Sequence, residues 1–190
     1  MLPLALDSKH ARLGLAGHGE AAVRRLAALR AADMAVAVYG AAEDAALAQA
    51  AGDSFHAGLP HDAALTGLHI LYVTGLAPEQ AAALAEAARR LRVLVNVEDV
   101  PELCDFHSVA ELRRGDLLLT VSTNGAAPGL AGSIRRHLEQ CFPPVWAERV
   151  REIAVLRRRW RGEGVGMAEA AKRIDALAQA GCWLNCPRPN

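Results

Sequence analysis

Short apolar runs alternate with alanine-rich amphipathic stretches over the first hundred residues of the chain. Apolar residues recur at helical spacing in the alanine-rich stretches, and the runs between them have the length of buried strands. We predict strands at residues 12–16, 35–39, 54–57, 69–74 and 93–97, and helices at residues 20–32, before Ala51 and at residues 78–90. This alternation is typical of a parallel sheet covered on both faces. The pattern therefore predicts an α/β doubly wound domain.

The pattern changes after Pro101, where the regular strand–helix alternation stops. We predict two more strands and three more helices there, at residues 106–110, 117–122, 128–140, 146–160 and 167–180. Pro143 and Pro144 end the first of these helices, since proline cannot continue a helix. The predicted organisation is an α/β domain at 1–105, a middle region at 106–144 and a small helical domain at 145–190.

Composition and charge narrow the range of partners. The 190 residues include 21 basic and 21 acidic side chains, so the formal net charge is zero and we expect no nucleic-acid partner. No apolar run reaches the roughly 18 residues of a membrane span, and the start lacks the pattern of a secretory signal. The four cysteines are scattered too widely for a disulfide framework. We therefore expect a protein of the reducing cytoplasm, without a membrane partner.

A glycine turn follows the first predicted strand and opens the first helix. Its sequence, Gly-His-Gly-Glu-Ala-Ala at residues 17–22, fits the pattern G-x-G-x-x-G/A. Gly17 permits a tight turn, Gly19 lets the backbone approach a pyrophosphate, and Ala22 lets the helix pack closely on the strand. The helix N-terminus adds free N–H groups and a partial positive charge. We predict a dinucleotide site here; the alternative is an ordinary glycine-rich turn.

The end of the second predicted strand departs from a typical NAD site. Such a site has an acidic residue there that binds the ribose hydroxyls, whereas this chain has Tyr-Gly-Ala-Ala at residues 39–42. Glu43 and Asp44 follow slightly too late, and no arginine stands there to bind the phosphate of NADP. Either backbone groups hold the ribose or the cofactor site has decayed, and the choice between NAD and NADP stays open.

Four further segments carry a family resemblance, with the sequences NVEDVP, LCDFH, GDL and VSTNGAAP at residues 96–101, 103–107, 115–117 and 121–128. Together with the glycine turn, they resemble the precorrin-2 dehydrogenase / sirohydrochlorin ferrochelatase family, the NAD-dependent module of sirohaem synthases. The resemblance covers about residues 1 to 142. It implies a Rossmann-like domain, a dimerisation region and a C-terminal helical domain. It also implies a homodimer that uses NAD to oxidise precorrin-2 to sirohydrochlorin, with ferrous iron as a further substrate in many members.

The resemblance also implies site residues. The family aspartate that serves both reactions corresponds to Asp99. The implied cofactor contacts are Gly17, His18, Gly19, Glu20, Ala21, Tyr39, Gly40, Ala41, Ala42, Thr74, Gly75 and Asn96, and the implied tetrapyrrole contacts are Ser122, Thr123, Asn124 and Gly125. We predict no metal site, because no histidine pair and no carboxylate–histidine cluster has the spacing of a zinc signature.

A carboxylate at Asp99 suits both reactions. Dehydrogenation moves a hydride to nicotinamide while a proton leaves the macrocycle, and chelation displaces two pyrrole protons, so both steps use a base. Asp99 follows a predicted buried strand, and open α/β sheets place ligands beyond the carboxyl ends of their strands. The alternative is that Asp99 caps a helix that begins near Pro101.

Three hypotheses follow for the function. The first is an NAD-dependent precorrin-2 dehydrogenase, with ferrochelatase activity as a second step on the same site. The second is a non-catalytic or chelatase-only tetrapyrrole-binding homologue with a decayed NAD site. The third is a nucleotide-responsive dimeric sensor without tetrapyrrole chemistry. The missing ribose acid favours the last two, whereas Gly17, Gly19, Asn96 and Asp99 favour the first. The sequence does not decide which metal is inserted, nor whether the pathway leads to sirohaem or to cobalamin.

Overall fold

The chain divides into two compact units, Met1–His107 and Ser108–Asn190. The computed structural model describes residues 2–185. Cys186 and the rest of the predicted C-terminal domain beyond residue 185 lie outside this range. The separate boundary that we predict near residue 144, inside the second unit, stays a prediction.

The first unit is built on a five-stranded parallel sheet with the order β3-β2-β1-β4-β5. Its strands are β1 (Leu13–Gly17), β2 (Val36–Gly40), β3 (Phe55–Ala57), β4 (Ile70–Thr74) and β5 (Leu94–Val97). Its helices are α1 (Gly19–Arg30), α2 (Ala45–Ala51), α3 (Asp62–Leu65) and α4 (Pro78–Arg90). The predicted Rossmann-like doubly wound sheet is confirmed, and the short helix α3 is an addition. The strand order reverses beside β1, which is where such sheets bind ligands.

Alternating side chains of the central strands form two separate cores, one on each face of the sheet. Leu15 of β1 packs with α1 and α2, and its neighbour Ala16 packs with α4. Both residues are fully buried. This alternation explains why β1 is apolar at every position: a parallel strand with helices on both faces has no solvent-facing side.

The segment that follows β5 is fastened back onto the sheet. A short 3₁₀ helix, Pro101–Leu103, leads into it. The Asp105 carboxylate accepts a hydrogen bond from the Val95 N–H at 2.9 Å, and the Asn96 side-chain amide donates to the Phe106 carbonyl at 2.8 Å. These bonds hold the last residues of the first unit against β5.

The strand predicted at residues 106–110 is wrong, because the corresponding strand, β6, begins only at Ala110. The Phe106 ring instead contacts the Tyr72 ring edge-on, with the ring centroids 5.4 Å apart. Phe106, whose apolar side chain suggests a strand, therefore packs in the core of the first unit instead.

The second unit combines a two-stranded antiparallel sheet with three helices. The strands are β6 (Ala110–Arg114) and β7 (Leu117–Val121), joined by a tight turn at Gly115 and Asp116. The helices are α5 (Pro128–Cys141), α6 (Trp146–Gly162) and α7 (Met167–Ala180). In the described part of this unit, the buried hydrophobic side chains are Leu112, Ala131 and Trp160. The unit therefore has a small core for its size.

Two further observations bear on the sequence predictions. Cys104 and Cys182 are free thiols, with Cys182 exposed and Cys104 partly buried. Within residues 2–185, every helix is too short or too polar to cross a bilayer.

Candidate functional site

Three glycines allow the backbones of β1, β2 and β4 to approach closely at the carboxyl edge of the sheet. A Cβ atom on Gly17 would overlap the Thr74 carbonyl, and one on Gly75 would lie 2.6 Å from the His18 carbonyl. A Cβ atom on Gly40 would lie 2.9 Å from the Leu47 side chain and 3.1 Å from the Gly17 carbonyl oxygen. Larger side chains would push the strands apart, so this part of the edge presents mainly backbone groups.

The N-terminus of α1 lies at this edge and offers two backbone donors. The first four N–H groups of a helix have no carbonyl partner within it. Here the His18 N–H donates to the Thr74 carbonyl at 3.3 Å, and the Gly19 N–H donates to the Asp44 carboxylate at 2.7 Å. The N–H groups of Glu20 and Ala21 are left for a ligand, together with the partial positive charge of the helix end.

This geometry fits a dinucleotide pyrophosphate. Gly19 has a φ of +70°, and among residues 2–185 nothing outside its chain neighbours and the adjacent helix backbone lies within 4 Å of the position that its Cβ would occupy. A phosphate can therefore approach the backbone directly above Gly19, within reach of the Glu20 and Ala21 N–H groups. Helix N-termini of this kind bind phosphate without any cationic side chain.

Asp44 makes a contact with the start of α1 that the sequence did not predict. It lies at the N-terminus of α2, where one carboxylate oxygen accepts from the Leu47 N–H at 3.0 Å and the other from the Gly19 N–H. These hydrogen bonds lower the pKa of Asp44 below its ordinary value of 3.8, with a smaller contribution from His18. The interpretation that Asp44 follows β2 too late to bind a ribose stays a prediction. β2 continues to Gly40, and the turn after it brings Asp44 back beside Gly19.

Tyr39 is one of the predicted cofactor contacts, but its side chain belongs to the core. Only 8% of the residue is exposed, and its ring stacks on His56 with the centroids 5.0 Å apart. Burial raises the pKa of the Tyr39 hydroxyl. Any contact between this turn and a cofactor would therefore involve the backbone of Gly40, Ala41 and Ala42 rather than the phenol.

Glu98 joins the ends of β4 and β5, and the sequence prediction did not include it. Its carboxylate accepts a hydrogen bond from the buried hydroxyl of Thr74 and one from the Arg25 guanidinium at 3.4 Å. Arg25 also lies over the Tyr72 ring, 5.3 Å from its centroid. This set of contacts uses the Thr74 hydroxyl and fastens the turn after β5 to α1.

Asp99 follows Glu98 in that turn and is exposed. Its φ of +60° is in the left-handed region, which aspartate adopts more readily than most residues. No side-chain hydrogen bond caps the 3₁₀ helix Pro101–Leu103 in the described structure, so the capping alternative has no geometric support. Asn96 lies in β5 and is 7% exposed, and its side-chain amide donates to the Phe106 carbonyl.

The predicted tetrapyrrole contacts Ser122 to Gly125 form the turn between β7 and α5 in the second unit. The Thr123 hydroxyl accepts from the Ala127 N–H at 3.1 Å, and the Ser122 hydroxyl accepts from the Asn124 N–H at 3.3 Å. Asn124 and Gly125 both have positive φ. The hydroxyls therefore shape the turn, and substrate contact by these residues stays a prediction.

Among residues 2–185, no three histidine, cysteine, aspartate or glutamate side chains lie close enough together to hold a metal ion.

Comparisons with known proteins agree with this geometry. A family model described as "Putative NAD(P)-binding" matches residues 4–110, which is more than half of the chain. A second model, "Sirohaem biosynthesis protein central", matches residues 114–140. The chain belongs to the precorrin-2 dehydrogenase / sirohydrochlorin ferrochelatase family. The resemblance seen in the sequence motifs is thereby confirmed.

Individual relatives lie in the same family. The chain is 34% identical over 163 residues to a siroheme synthase of Methylococcus capsulatus, covering 84% of this chain and 34% of that protein. It is 32% identical over 84 residues to the siroheme biosynthesis protein met8 of Schizosaccharomyces pombe, covering 44% and 32%. The chain thus spans about a third of the length of these curated relatives. A solved structure of SirC, a precorrin-2 dehydrogenase, shares the fold with a TM-score of 0.66 and 20% identity, covering 93% of this chain and 89% of that one.

Proposed function

We propose that this chain catalyses the NAD-dependent dehydrogenation of precorrin-2 to sirohydrochlorin in the cytoplasm. The observation that carries the proposal is the pair of available N–H groups at the start of α1, beside the glycine edge of an NAD(P)-binding family member. The relatives named as siroheme synthases support the tetrapyrrole substrate. The fold that the chain shares with a precorrin-2 dehydrogenase is consistent with it.

The residues that would hold NAD lie along the carboxyl edge of the sheet. The N–H groups of Glu20 and Ala21 bind the pyrophosphate, and the backbone of residues 40–42 borders the adenosine. Gly17 and Gly75 keep the edge narrow enough for this contact. When bound, NAD supplies the hydride acceptor for the reaction.

Asp99 accepts the proton that leaves the macrocycle when the hydride leaves. Its carboxylate is exposed at the carboxyl edge, where a large substrate can reach it. The neighbouring Glu98 contacts Thr74 and Arg25, and these contacts hold the turn that carries Asp99 in place. Loss of one hydride and one proton amounts to the two-electron oxidation that the reaction requires.

Ferrochelation is the second step that we propose for the same carboxylate. Insertion of ferrous iron as a substrate displaces two pyrrole protons, and Asp99 accepts protons there as well. Ser122 to Gly125 contact the tetrapyrrole in this proposal. The first step needs NAD and the second does not, so the two activities can be separated experimentally.

A homodimer is also part of the proposal. Leu118 on β7 and Leu130 and Ile134 on α5 are exposed apolar side chains, with Leu130 exposed at 56%. A second copy of the chain would cover them, because identical patches pair readily across a two-fold axis.

The main alternative is a homologue with a decayed NAD site, limited to chelation or to tetrapyrrole binding. Its support is the lack of an acidic residue after β2. Against it, the start of α1 and the three glycines of the sheet edge offer a pyrophosphate site. We therefore favour the dehydrogenase.

A matched pair of variants tests the role of Asp99. Asp99→Asn removes the carboxylate and keeps a residue type that tolerates positive φ, and Glu102→Gln removes a nearby exposed carboxylate. We expect Asp99→Asn to lower the rate of precorrin-2 oxidation by about 10²–10⁴-fold, the usual contribution of one general base. NAD affinity and melting temperature should stay unchanged, and Glu102→Gln should keep its activity.

Iron insertion is measured on the same two variants without NAD, with sirohydrochlorin and ferrous iron as substrates. Loss of both activities in Asp99→Asn supports one carboxylate for both steps. Unchanged oxidation in Asp99→Asn would refute the catalytic role of Asp99.

A further inference from the structure

We infer that Arg149 and Trp146 bind a carboxylate group of the tetrapyrrole. The inference rests on the proposed function, because that function supplies the ligand. The site lies within the second unit, where both residues belong to the first turn of α6 and Trp183 follows α7. Two observations point to it: the Arg149 guanidinium and the Trp146 indole nitrogen are both donors that the described chain leaves without an acceptor.

Two indole rings form a corner that holds the guanidinium. The rings of Trp146 and Trp183 cross at 74° with their centroids 6.2 Å apart, and the Arg149 Cζ atom lies 5.1 Å from each centroid. Gly181 permits this arrangement, because a Cβ atom there would overlap the Trp183 ring. The ring faces attract the cation and so fix its position before a ligand binds.

A second arginine–tryptophan pair of the same unit shows what Arg149 lacks. The Arg173 guanidinium lies over the Trp160 ring, 5.5 Å from its centroid, and also donates to the Glu169 carboxylate at 3.0 Å. Within residues 2–185, the partly buried Arg149 has neither an ion pair nor a hydrogen bond. Its N–H groups are therefore left for an external carboxylate, and a guanidinium can donate to both oxygens of such a group.

The indole nitrogen of Trp146 is the second unpaired donor. It is buried, and no acceptor among the described residues lies within hydrogen-bond distance of it. Buried donors without an acceptor are rare in folded proteins, because their loss of water is not compensated. A carboxylate has enough lone pairs to accept from the guanidinium and from the indole together.

The surroundings of the two donors are apolar. The Phe142 ring lies against the Trp146 ring, with the centroids 5.1 Å apart. Val145 and Leu184, the sequence neighbours of the two tryptophans, are exposed at 42% and 71%. A ligand that fits therefore combines carboxylates with a large apolar body. A tetrapyrrole has this chemistry, since its acetate and propionate groups surround a macrocycle, whereas a small free carboxylate lacks the apolar body.

The experiment measures the dissociation constant of sirohydrochlorin by calorimetry for the wild-type chain and its variants. Arg149→Gln removes the charge, and Trp146→Phe removes the indole N–H but keeps an aromatic ring. Arg173→Gln is the matched control at the other arginine–tryptophan pair. Arg149→Lys serves if Arg149→Gln unfolds, because lysine keeps the charge against the rings but has no planar fork of donors. Melting temperatures verify that each variant folds, and citrate is the second probe, a polycarboxylate without a macrocycle.

We expect Arg149→Gln to weaken sirohydrochlorin binding at least about tenfold, the usual effect of losing hydrogen bonds between charged groups. Trp146→Phe and Arg149→Lys should each weaken it about threefold or more, and Arg173→Gln should leave it within about twofold.

Each contrary result has a separate meaning. Wild-type affinity in a folded Arg149 variant overturns the site and leaves the dehydrogenase proposal standing. Citrate that binds as tightly as sirohydrochlorin, and no longer binds to Arg149→Gln, assigns the site to a small carboxylate and overturns the tetrapyrrole as its ligand. A wild-type chain that does not bind sirohydrochlorin overturns the inference and the proposed function together.

Discussion

In the first unit, helices cover both faces of the five-stranded sheet, whereas the second unit has a two-stranded sheet and a set of exposed apolar side chains. Leu15 and Leu71 at the centre of the first unit are fully buried. In the second unit, α7 has no buried residue in the described structure, and α5 has Ala131 alone. The first unit therefore completes its own core, and the second does not.

From this difference in core packing we infer separate roles for the two units. A rigid parallel sheet holds backbone donors in fixed positions, which is what a dinucleotide site requires. A small helical unit with exposed leucines is suited to association. We therefore expect changes in the first unit to act on folding and cofactor binding, and changes in the second unit to act on assembly.

The largest effect on stability should come from a leucine in the core of the first unit. Leu15→Ala should lower the free energy of unfolding by about 2–5 kcal/mol, because it opens a cavity that the sheet cannot close. Leu177→Ala on α7, where the side chain is 37% exposed, should cost less than about 1 kcal/mol. Urea denaturation measures both values. Equal losses would show that the second unit is packed as tightly as the first.

Sequence reasoning was effective for the first unit because its physical signal is local. Short, mostly apolar strands such as β4 alternate with amphipathic helices such as α4, and this pattern alone identifies a covered parallel sheet. The failures involve contacts between distant parts of the chain. Phe106 packs on Tyr72, and Asp44 bonds to Gly19 across 25 residues. Neither contact produces a regular spacing of apolar residues from which it could be predicted.

The candidate site was predictable to a similar degree. The glycine turn is predicted from its own motif, whereas Asp99 is predicted from the family resemblance. In contrast, the Glu98 contacts with Thr74 and Arg25 depend on how α1 lies against the sheet. The burial of Tyr39 against His56 likewise depends on the pairing of β2 with β3.

Two glycines two residues apart separate packing from binding within the first unit. Gly17→Ala should destabilise the fold by about 1–3 kcal/mol, because its Cβ would overlap the Thr74 carbonyl. Gly19→Val has open space around its side chain and should chiefly abolish NAD binding, with a smaller cost of about 1–2 kcal/mol from its positive φ. Thermal melting and calorimetry on both variants provide the test. If Gly19→Val bound NAD with wild-type affinity, the proposal that the pyrophosphate lies against the Gly19 backbone would be wrong.

Two apolar residues on α5 test the role of the second unit in assembly. Leu130→Gln combined with Ile134→Gln should weaken dimerisation by about 100-fold or more, since each buried apolar side chain contributes about 1.5–3 kcal/mol. Leu59→Gln changes an exposed leucine of the first unit and is the control. Sedimentation at micromolar concentration distinguishes the states. A wild-type chain that sediments as a monomer would contradict the assignment of assembly to this unit.

The smallest effect concerns the pH dependence of stability. The folded chain lowers the pKa of Asp44, so its carboxylate stabilises the fold above the ordinary pKa of 3.8, and this contribution is lost as the pH falls through the lower, folded value. The difference in unfolding free energy between the wild-type chain and Asp44→Asn should therefore be greater at about pH 6 than at about pH 3. Urea denaturation at the two pH values measures it, with Glu43→Gln as the control. A difference that does not change with pH would show that the Gly19 bond does not depend on the charge.

The most direct test of the proposed activity is turnover by the wild-type chain. Purified protein is incubated without oxygen with precorrin-2 and NAD, and the absorbance of NADH and of sirohydrochlorin is followed together, with Gly19→Val as the inactive control. We predict that NADH and sirohydrochlorin appear in equal amounts, and that neither forms when NAD is omitted. Sirohydrochlorin formed at the same rate without NAD, or no NADH in its presence, would contradict the assignment of this chain as an NAD-dependent dehydrogenase.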